Sequence, residues 1–478
     1  MNKIEPKLNL LDVVLLVSGS MIGSGIFIVT ADMMRALGSP FWVLLCWLIS
    51  GVITLFAALS YGELAAMMPE AGGQFLFLKR AFGNLTAFVY GWTVFLVIQT
   101  GVIAAVAVAF AKYLGVIFPI VSEENAVSLG FFSISVSQVV AILSIILLTA
   151  IHTQGIKNGT VIQRVFTISK LIALFGLIVL AFSKLGSANY LSQNFSDAFT
   201  AKNYTNETQT GSVLGAIGIF TFMGSALIGA LFSSDAWNNV TFLSAEIKNP
   251  NRNLPLGLSI GVFIVTILYL LANIAYFILL PAVGDPNGTG PIERGIMFAE
   301  NDRVATAALH TFFGTTSITI MAILIIVSTF GCNNGLILAG SRLFQSMANA
   351  KLFFKQASHL NKHLVPSKSL WIQCAWASVL CLSGSYGQLL GYATFASLIF
   401  YIVTITGLFI LRKKEPTTPR PYKAWGYPYI PMAYIIITSI ICLNLLVYSF
   451  TNSILGIAII LLGVPVYYLF SKKEGSAT

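Results

Sequence analysis

Apolar runs broken by short polar ones make up most of the chain, and twelve can be drawn, at about residues 10–35, 41–66, 85–117, 136–152, 160–183, 212–244, 255–281, 315–346, 370–384, 388–411, 430–450 and 454–470. Crossing the hydrocarbon core of a bilayer takes ~20 predominantly apolar residues in helical form. The pattern therefore predicts an all-α, polytopic membrane protein with twelve transmembrane helices. Turn-forming clusters such as Gly38-Ser39-Pro40 and Asp285-Pro286-Asn287-Gly288 separate most runs, while the ninth and tenth are parted only by Gly384, Ser385, Tyr386 and Gly387.

Composition agrees. Of 478 residues, 56% are hydrophobic and only 9% charged, far below the roughly 25% charged residues of an ordinary soluble domain. That excludes a soluble enzyme, a disordered chain and a nucleic-acid-binding domain. The net charge of +10 is a topological signal instead. If the N-terminus is placed in the cytoplasm and the runs alternate, most of the 27 Lys and Arg residues fall on the inner side, with only Lys112, Lys184, Lys202, Arg294 and Arg303 outside. This is the positive-inside asymmetry expected of twelve spans with both termini cytoplasmic. Residues 1–10 resemble the positive region of a signal peptide, but the run that follows is too long and glycine-rich, so it reads as a retained first span. The five cysteines sit in apolar runs without CxxC spacing or histidine neighbours, which reads as packing rather than disulfides or metal. No phosphate loop, dinucleotide fingerprint, nucleophile elbow or metal constellation is present, so neither cofactor nor metal is expected.

Three runs contain residues that lipid would reject. In the first, three glycines and three serines cluster at Ser18, Gly19, Ser20, Gly23, Ser24 and Gly25. Gly19 and Gly23 could form a close-packing GxxxG pair, or the cluster could mark a helix broken at mid-membrane, its amides turned toward an anion. Taken alone, the segment supports both readings. The sixth run carries Phe232-Ser233-Ser234-Asp235-Ala236-Trp237-Asn238 at mid-span. A carboxylate there costs ~2.5–3.5 kcal/mol on insertion scales, and Ser, Asp and Asn compete with helical hydrogen bonding. Interruptions five spans apart favour the broken-helix reading and an inverted-repeat transporter. Lys170 lies near the middle of the fifth run, ~15 Å from either end at helical rise, too far to snorkel. It is expected to point inward, with Ser328, Thr329, Asn333 and Asn334 as candidate partners. Glu63, near the inner end of the second run, reads as an interfacial charge. His359 and His363 stand in a basic loop with Lys351, Lys355, Lys362 and Lys368, a solvated or headgroup-facing surface.

Several motifs resemble the amino acid–polyamine–organocation superfamily: GSMIGSGIF at residues 19–27, ELAAMMPEAGGQ at 63–74, DAWN at 235–238, EIKNPNRNLP at 246–255, STFG at 328–331 with SR at 341–342, and RKKEPTTPRP at 412–421. They run in order along nearly the whole chain and are most similar to the L-type amino-acid transporters and their bacterial relatives. The resemblance implies a leucine-transporter-like fold of two inverted five-helix repeats, residues 1–183 and 184–411, with residues 412–478 forming two peripheral helices and a short tail. It also implies a substrate site made by Met21, Gly23, Ser24, Gly25, Phe232, Ser233, Asp235 and Trp237. The α-carboxylate would rest on amides of the broken first span and the α-amino group on carbonyls near Phe232 and Asp235, with Phe232 as an aromatic gate. Lys170, with Ser328 and Thr329, would occupy the place of the sodium ion used by other transporters of this fold.

The implied function is sodium-independent secondary transport of neutral L-amino acids by alternating access, as an exchanger or a proton-coupled permease. Asp235 raises cationic substrates as a further hypothesis, and Ser397 stands where some large-neutral-amino-acid carriers have asparagine. A transporter-like sensor that binds without net transport is the alternative. Its usual signalling domain has no counterpart here, and a channel would need a continuous polar lining. The expected partners are the amino acid and the bilayer. Residues 118–135 lack the cysteine that in L-type light chains bonds a heavy chain, so no disulfide-linked heavy chain is expected, and a bacterial inner-membrane location follows.

Overall fold

The computed structural model describes residues 6–122, 124–128, 133–186, 190–204, 211–383 and 386–475. The described chain is a bundle of membrane-length helices. The first apolar run is two helices, α1 (Leu10–Met21) and α2 (Gly25–Leu37), bent by 42° across a short break. Then come α3 (Pro40–Met67), α4 (Gln74–Phe82), and α5 (Asn84–Thr93), which passes through a π turn at Val94–Ile98 into α6 (Gln99–Ile117). After these lie α7 (Val136–Thr153), α8 (Ile156–Phe182), α9 (Ala216–Ser233), α10 (Pro250–Leu279), α11 (Val304–Phe313) and α12 (Thr316–Asn349). The last four are α13 (Ser367–Ser383), α14 (Tyr386–Lys414), α15 (Tyr429–Tyr448) and α16 (Phe450–Gly475). The only strands among the described residues are two short ladders, Ala126–Ser128 with Ser133–Ser135 and Lys202–Asn203 with Ser212–Val213. The fold is all-α and polytopic, as the hydropathy pattern predicts.

Ten described stretches are long and apolar enough to cross a bilayer, and the bent pair α1/α2 makes an eleventh. The remaining run of the twelve drawn is α13, whose described part is 17 residues long. Gly384 and Ser385, which the sequence makes the turn between the ninth and tenth runs, lie outside the described residues. So does Lys3, one of the inner-side charges.

Local chemistry explains the helix ends that frame the site. Asn9 and Asp12 form a reciprocal capping box that starts α1. Gly38 ends α2 in the left-handed region at φ +56, which glycine adopts without steric cost. The helix that runs through the π turn carries Tyr90 below it and Val102 above it, and both line cavities around the breaks. The α10 helix packs against α1, α3 and α8. Gly257 and Gly261 lie so close to Val13 and Val17 of α1 that an added Cβ would come within 2.6 Å of their side chains. Lipid offers little hydrophobic drive for helix association, and such small-residue contacts supply the close packing.

Candidate functional site

The helical ladder stops at Met21 and resumes at Gly25. Each glycine in this stretch meets a different constraint. A Cβ on Gly19 would lie 2.2 Å from Gln163 Nε2 and Thr167 Oγ1, and one on Gly25 would lie 2.1 Å from Ser233 Oγ, whereas one on Gly23 would meet nothing nearer than Cys332 Sγ at 3.8 Å. The broken-helix reading therefore holds, while Gly19 and Gly23 do not form a close-packing pair. Gly19 permits close packing on α8, Gly25 lets the two breaks touch, and Gly23 sits in the break itself. Gly25→Val would drive a branched side chain into Ser233. Overpacking of this kind costs ~1–3 kcal/mol, so uptake is expected to fall at least about tenfold with the protein still membrane-inserted, as surface labelling beside a transport assay would show.

The sixth apolar run breaks as well. Helix α9 ends at Ser233, Ala236 takes φ +65, and the chain continues as a ten-residue 3-10 helix, Trp237–Glu246, rather than as a second α-helical half. The cause is local. Thr241 Oγ1 donates to Asn238 O at 2.7 Å and Ser244 Oγ to Thr241 O at 2.6 Å, tightening the segment through i→i−3 side-chain bonds.

The two breaks face one cavity, whose lining includes Met21, Gly23, Ser24, Gly25, Phe232, Ser233 and Asp235. Seven of the eight residues named from sequence thus come together. Trp237 does not line this cavity. It packs edge-on against Tyr61 at 4.8 Å and near Tyr401 at 5.5 Å, bordering a neighbouring cavity that also reaches Asp235. Helix geometry points the first-turn N–H groups of α2 back toward the break, where α1 ends in carbonyls. The Gly23 amide is already engaged, donating to Met21 O at 2.9 Å. The Phe232 carbonyl accepts from Asp235 N at 3.1 Å and keeps a second lone pair.

Lys170 is fully buried, and its ammonium donates to Gly19 O at 2.5 Å and Ile22 O at 2.6 Å. It therefore supplies a charged donor to carbonyls at the end of α1. Ser328 Oγ reaches the same Ile22 carbonyl at 3.1 Å and Gly23 O at 3.0 Å. Thr329 instead bonds back into its own helix, to Ile325 O at 2.7 Å, a common way for a threonine to satisfy its hydroxyl in an apolar span. Asn333 donates to Ile103 O, and Asn334 to Gly159 O and Gln163 Oε1. These two asparagines brace neighbouring helices.

Two tyrosines in apolar stretches bond to the breaks, and sequence reasoning passed over them. Tyr269 Oη lies 3.1 Å from Met21 O and 3.0 Å from Ser233 O, one carbonyl from each break. A phenol has one proton, so one of these carbonyls is always open to another donor. Tyr401 Oη donates to Asp235 Oδ1 at 2.5 Å. Among the described residues no Lys or Arg lies within ion-pair distance of Asp235. A hydroxyl at the middle of an otherwise aliphatic span was the sequence signal available.

Ion pairs tie the bundle at both ends. At the end carrying Leu8, Asp12 meets Arg164 at 2.5 Å, Glu246 meets Arg342 at 2.5 Å, and the Leu8 backbone pairs with that of residues 246–248. Glu63, read from sequence as an interfacial charge, is fully buried, because Arg412 grips it with two bonds of 2.9 and 2.6 Å while Arg420 and the Ala424 amide close the remaining sides. Beside this hub, a hydrogen bond from Arg80 holds the Glu415 carboxyl below the usual carboxylate range. That exposed pair contributes above the unfolded-state pKa and fades as pH falls through the lowered folded value. At the opposite end Arg35 pairs with Asp32 and, at 2.8 Å, with Asp302, and donates to Met297 O at 2.9 Å.

The sequence profile of the family described as amino acid permease matches residues 8–469. The chain belongs to that family. It is similar to the serine/threonine exchanger SteT of Bacillus subtilis (strain 168), at 28% identity over 478 residues and 99% of both chains. It is also similar to the human large neutral amino acids transporter small subunit 2, at 28% identity over 95% of this chain and 78% of that one. The mouse b(0,+)-type amino acid transporter 1 is 26% identical over 98% of this chain and 88% of its own. The permease is thus a multi-pass integral membrane transporter and not an enzyme, with an amino acid as its substrate.

Proposed function

We propose that this permease moves L-amino acids by sodium-independent alternating access, as an exchanger or a proton-coupled carrier. The observation that carries the reading is Lys170, whose ammonium sits on the Gly19 and Ile22 carbonyls beside the break. A fixed cation there balances the negative end of α1 and leaves no charge for a sodium ion to neutralise. The substrate carboxylate lies against the amides of Ser24 and Gly25, with the Gly23 amide joining if it releases Met21. The ammonium meets the carbonyls near Met21, Phe232 and Ser233. Phe232 closes over it. Asp235 faces the substrate side chain, and two opposite charges 4 Å apart attract by ~4 kcal/mol at an effective dielectric of 20, so cationic amino acids are accepted beside neutral ones. Trp237, one residue removed from the cavity, shapes the site through Tyr61 and Tyr401.

The two breaks occupy matching places in two five-span repeats, residues 1–183 and 184–411, with residues 412–478 peripheral. The excess of Lys and Arg on alternate sides of the spans supports both termini in the cytoplasm, and the molecule works in a bacterial inner membrane without a disulfide-linked heavy chain.

Uptake of labelled amino acid into proteoliposomes tests the reading. Equal rates in sodium and choline buffers, with uptake stimulated by internal unlabelled amino acid, are expected, and a requirement for sodium would overturn it. Asp235→Asn is expected to lower arginine uptake relative to leucine by about tenfold, roughly one charge-assisted interaction. An unchanged ratio would remove Asp235 from substrate selection.

A further inference from the structure

A second cavity adjoins the first at Val102, Asp235 and Ala236. Its wall contains a chain of buried polar side chains whose orientations can be deduced one from the next. The deduction starts at the Phe400 carbonyl, which can only accept. Gln74 lies 3.2 Å from it through Nε2, and the same nitrogen donates to Thr404 Oγ1 at 2.9 Å. Thr404 itself donates to Phe400 O at 2.7 Å, so its oxygen is the acceptor toward Gln74. The glutamine amide therefore cannot be turned over without setting an oxygen against a carbonyl. Gln74 Oε1 then faces Tyr90 Oη at 3.1 Å and Asn238 Nδ2 at 2.8 Å. That fixes Asn238 in turn, leaving its Oδ1 3.2 Å from Tyr401 Oη. The Tyr401 hydroxyl thus has two acceptors and one proton, with the Asp235 carboxylate the nearer at 2.5 Å.

We infer that Gln74 is a specificity-positioning residue. By fixing the amide of Asn238 it gives the Tyr401 proton a second acceptor, so that Asp235 can release Tyr401 and take a cationic substrate side chain. With a neutral substrate, Tyr401 stays on Asp235 and keeps the buried carboxylate bonded. With a cationic one, the hydroxyl turns to Asn238 and Asp235 accepts the substrate. Without the Gln74 anchor, Asn238 turns its Nδ2 toward the tyrosine oxygen, and the hydroxyl has only Asp235 left as acceptor. The cationic substrate then competes with Tyr401 at every binding event. Gln74 does not line the cavity between the breaks and acts only through its neighbours.

The inference rests on the assignment of Asp235 to cationic substrates, and the test separates the two. KM and maximal rate for labelled arginine and leucine are measured in proteoliposomes for the wild type, Gln74→Met and Asp235→Asn. Gln74→Met keeps the side-chain length without its hydrogen bonds. It is expected to raise the arginine KM about tenfold, the worth of one hydrogen bond to a charged group, with the leucine KM changed less than about twofold. If Gln74→Met does not reach the membrane, Asn238→Leu removes the same second acceptor and carries the same expectation. In a Tyr401→Phe background, which has no hydroxyl to orient, Gln74→Met is expected to leave the KM ratio unmoved. A ratio unaffected by Gln74→Met, or both KM values rising together, overturns the role of Gln74 while Asp235→Asn still shifts the ratio. A ratio indifferent to Asp235→Asn overturns the underlying assignment instead.

Discussion

Lys170→Ala is expected to cut amino acid uptake at least about 100-fold. The substitution strands the Gly19 carbonyl and leaves the Ile22 carbonyl with only the Ser328 hydroxyl, in a space that Lys170 alone fills with charge. Hydrogen bonds to a charged donor contribute ~1.5–3 kcal/mol each. Losing two is worth at least two decades at 1.4 kcal/mol per decade. The end of α1 then lacks the cation that fixes its angle to α2, and the amides of the break lose their alignment on the carboxylate. Lys170→Arg, with a broader head in the same volume, is expected to keep a minor part of the rate. Initial uptake normalised to reconstituted protein measures this, and a Lys170→Ala rate within threefold of wild type would mean that the carbonyls need no fixed charge.

Arg342→Met is expected to destabilise the protein by about 3–5 kcal/mol, the usual result of stranding one member of a buried pair. Glu246 and Arg342 are both almost wholly inaccessible and lie 2.5 Å apart. Arg342 is further held by Gln345 Oε1 and the Leu364 carbonyl, each at 3.1 Å, so it is fixed independently of Glu246. The pair joins the 3-10 segment of the sixth run to α12. The double variant Glu246→Gln/Arg342→Met removes both charges and is expected to recover most of the loss. Thermal stability of the detergent-solubilised protein separates the cases. A single variant as stable as wild type would show that the pair contributes nothing at this junction.

Much of the site is written in local sequence, and the part that is not depends on distant partners. The cluster from Gly19 to Gly25 announces a break because glycine and serine gain nothing from lipid, and the helix does stop at Met21. Asp235 at mid-span announces the second break for the same reason. Lys170 is too far from either end to snorkel, and it turns inward to carbonyls. The partners of Lys170 are less legible. Carbonyls of α1 take it, while Thr329 is satisfied within its own helix, and residue type alone does not separate those outcomes. Glu63 looks interfacial because Arg412 and Arg420 stand some 350 positions later in the chain, and only folding brings them onto it. Tyr269 and Tyr401 disappear into apolar periodicity, since a tyrosine ring packs as a hydrophobe and its hydroxyl matters only where a carbonyl or carboxylate awaits it. The 3-10 form of residues 237–246 follows from threonine and serine bonding backward, a choice that tertiary packing settles.

The most direct measurement is an experimentally determined structure with an L-amino acid bound. The account predicts its carboxylate within about 3 Å of the Ser24 and Gly25 amides and its ammonium on carbonyls at Met21, Phe232 or Ser233, with Lys170 still on Gly19 and Ile22. An amino acid bound away from both breaks, or helix running unbroken through Gly23 or Asp235, would contradict it.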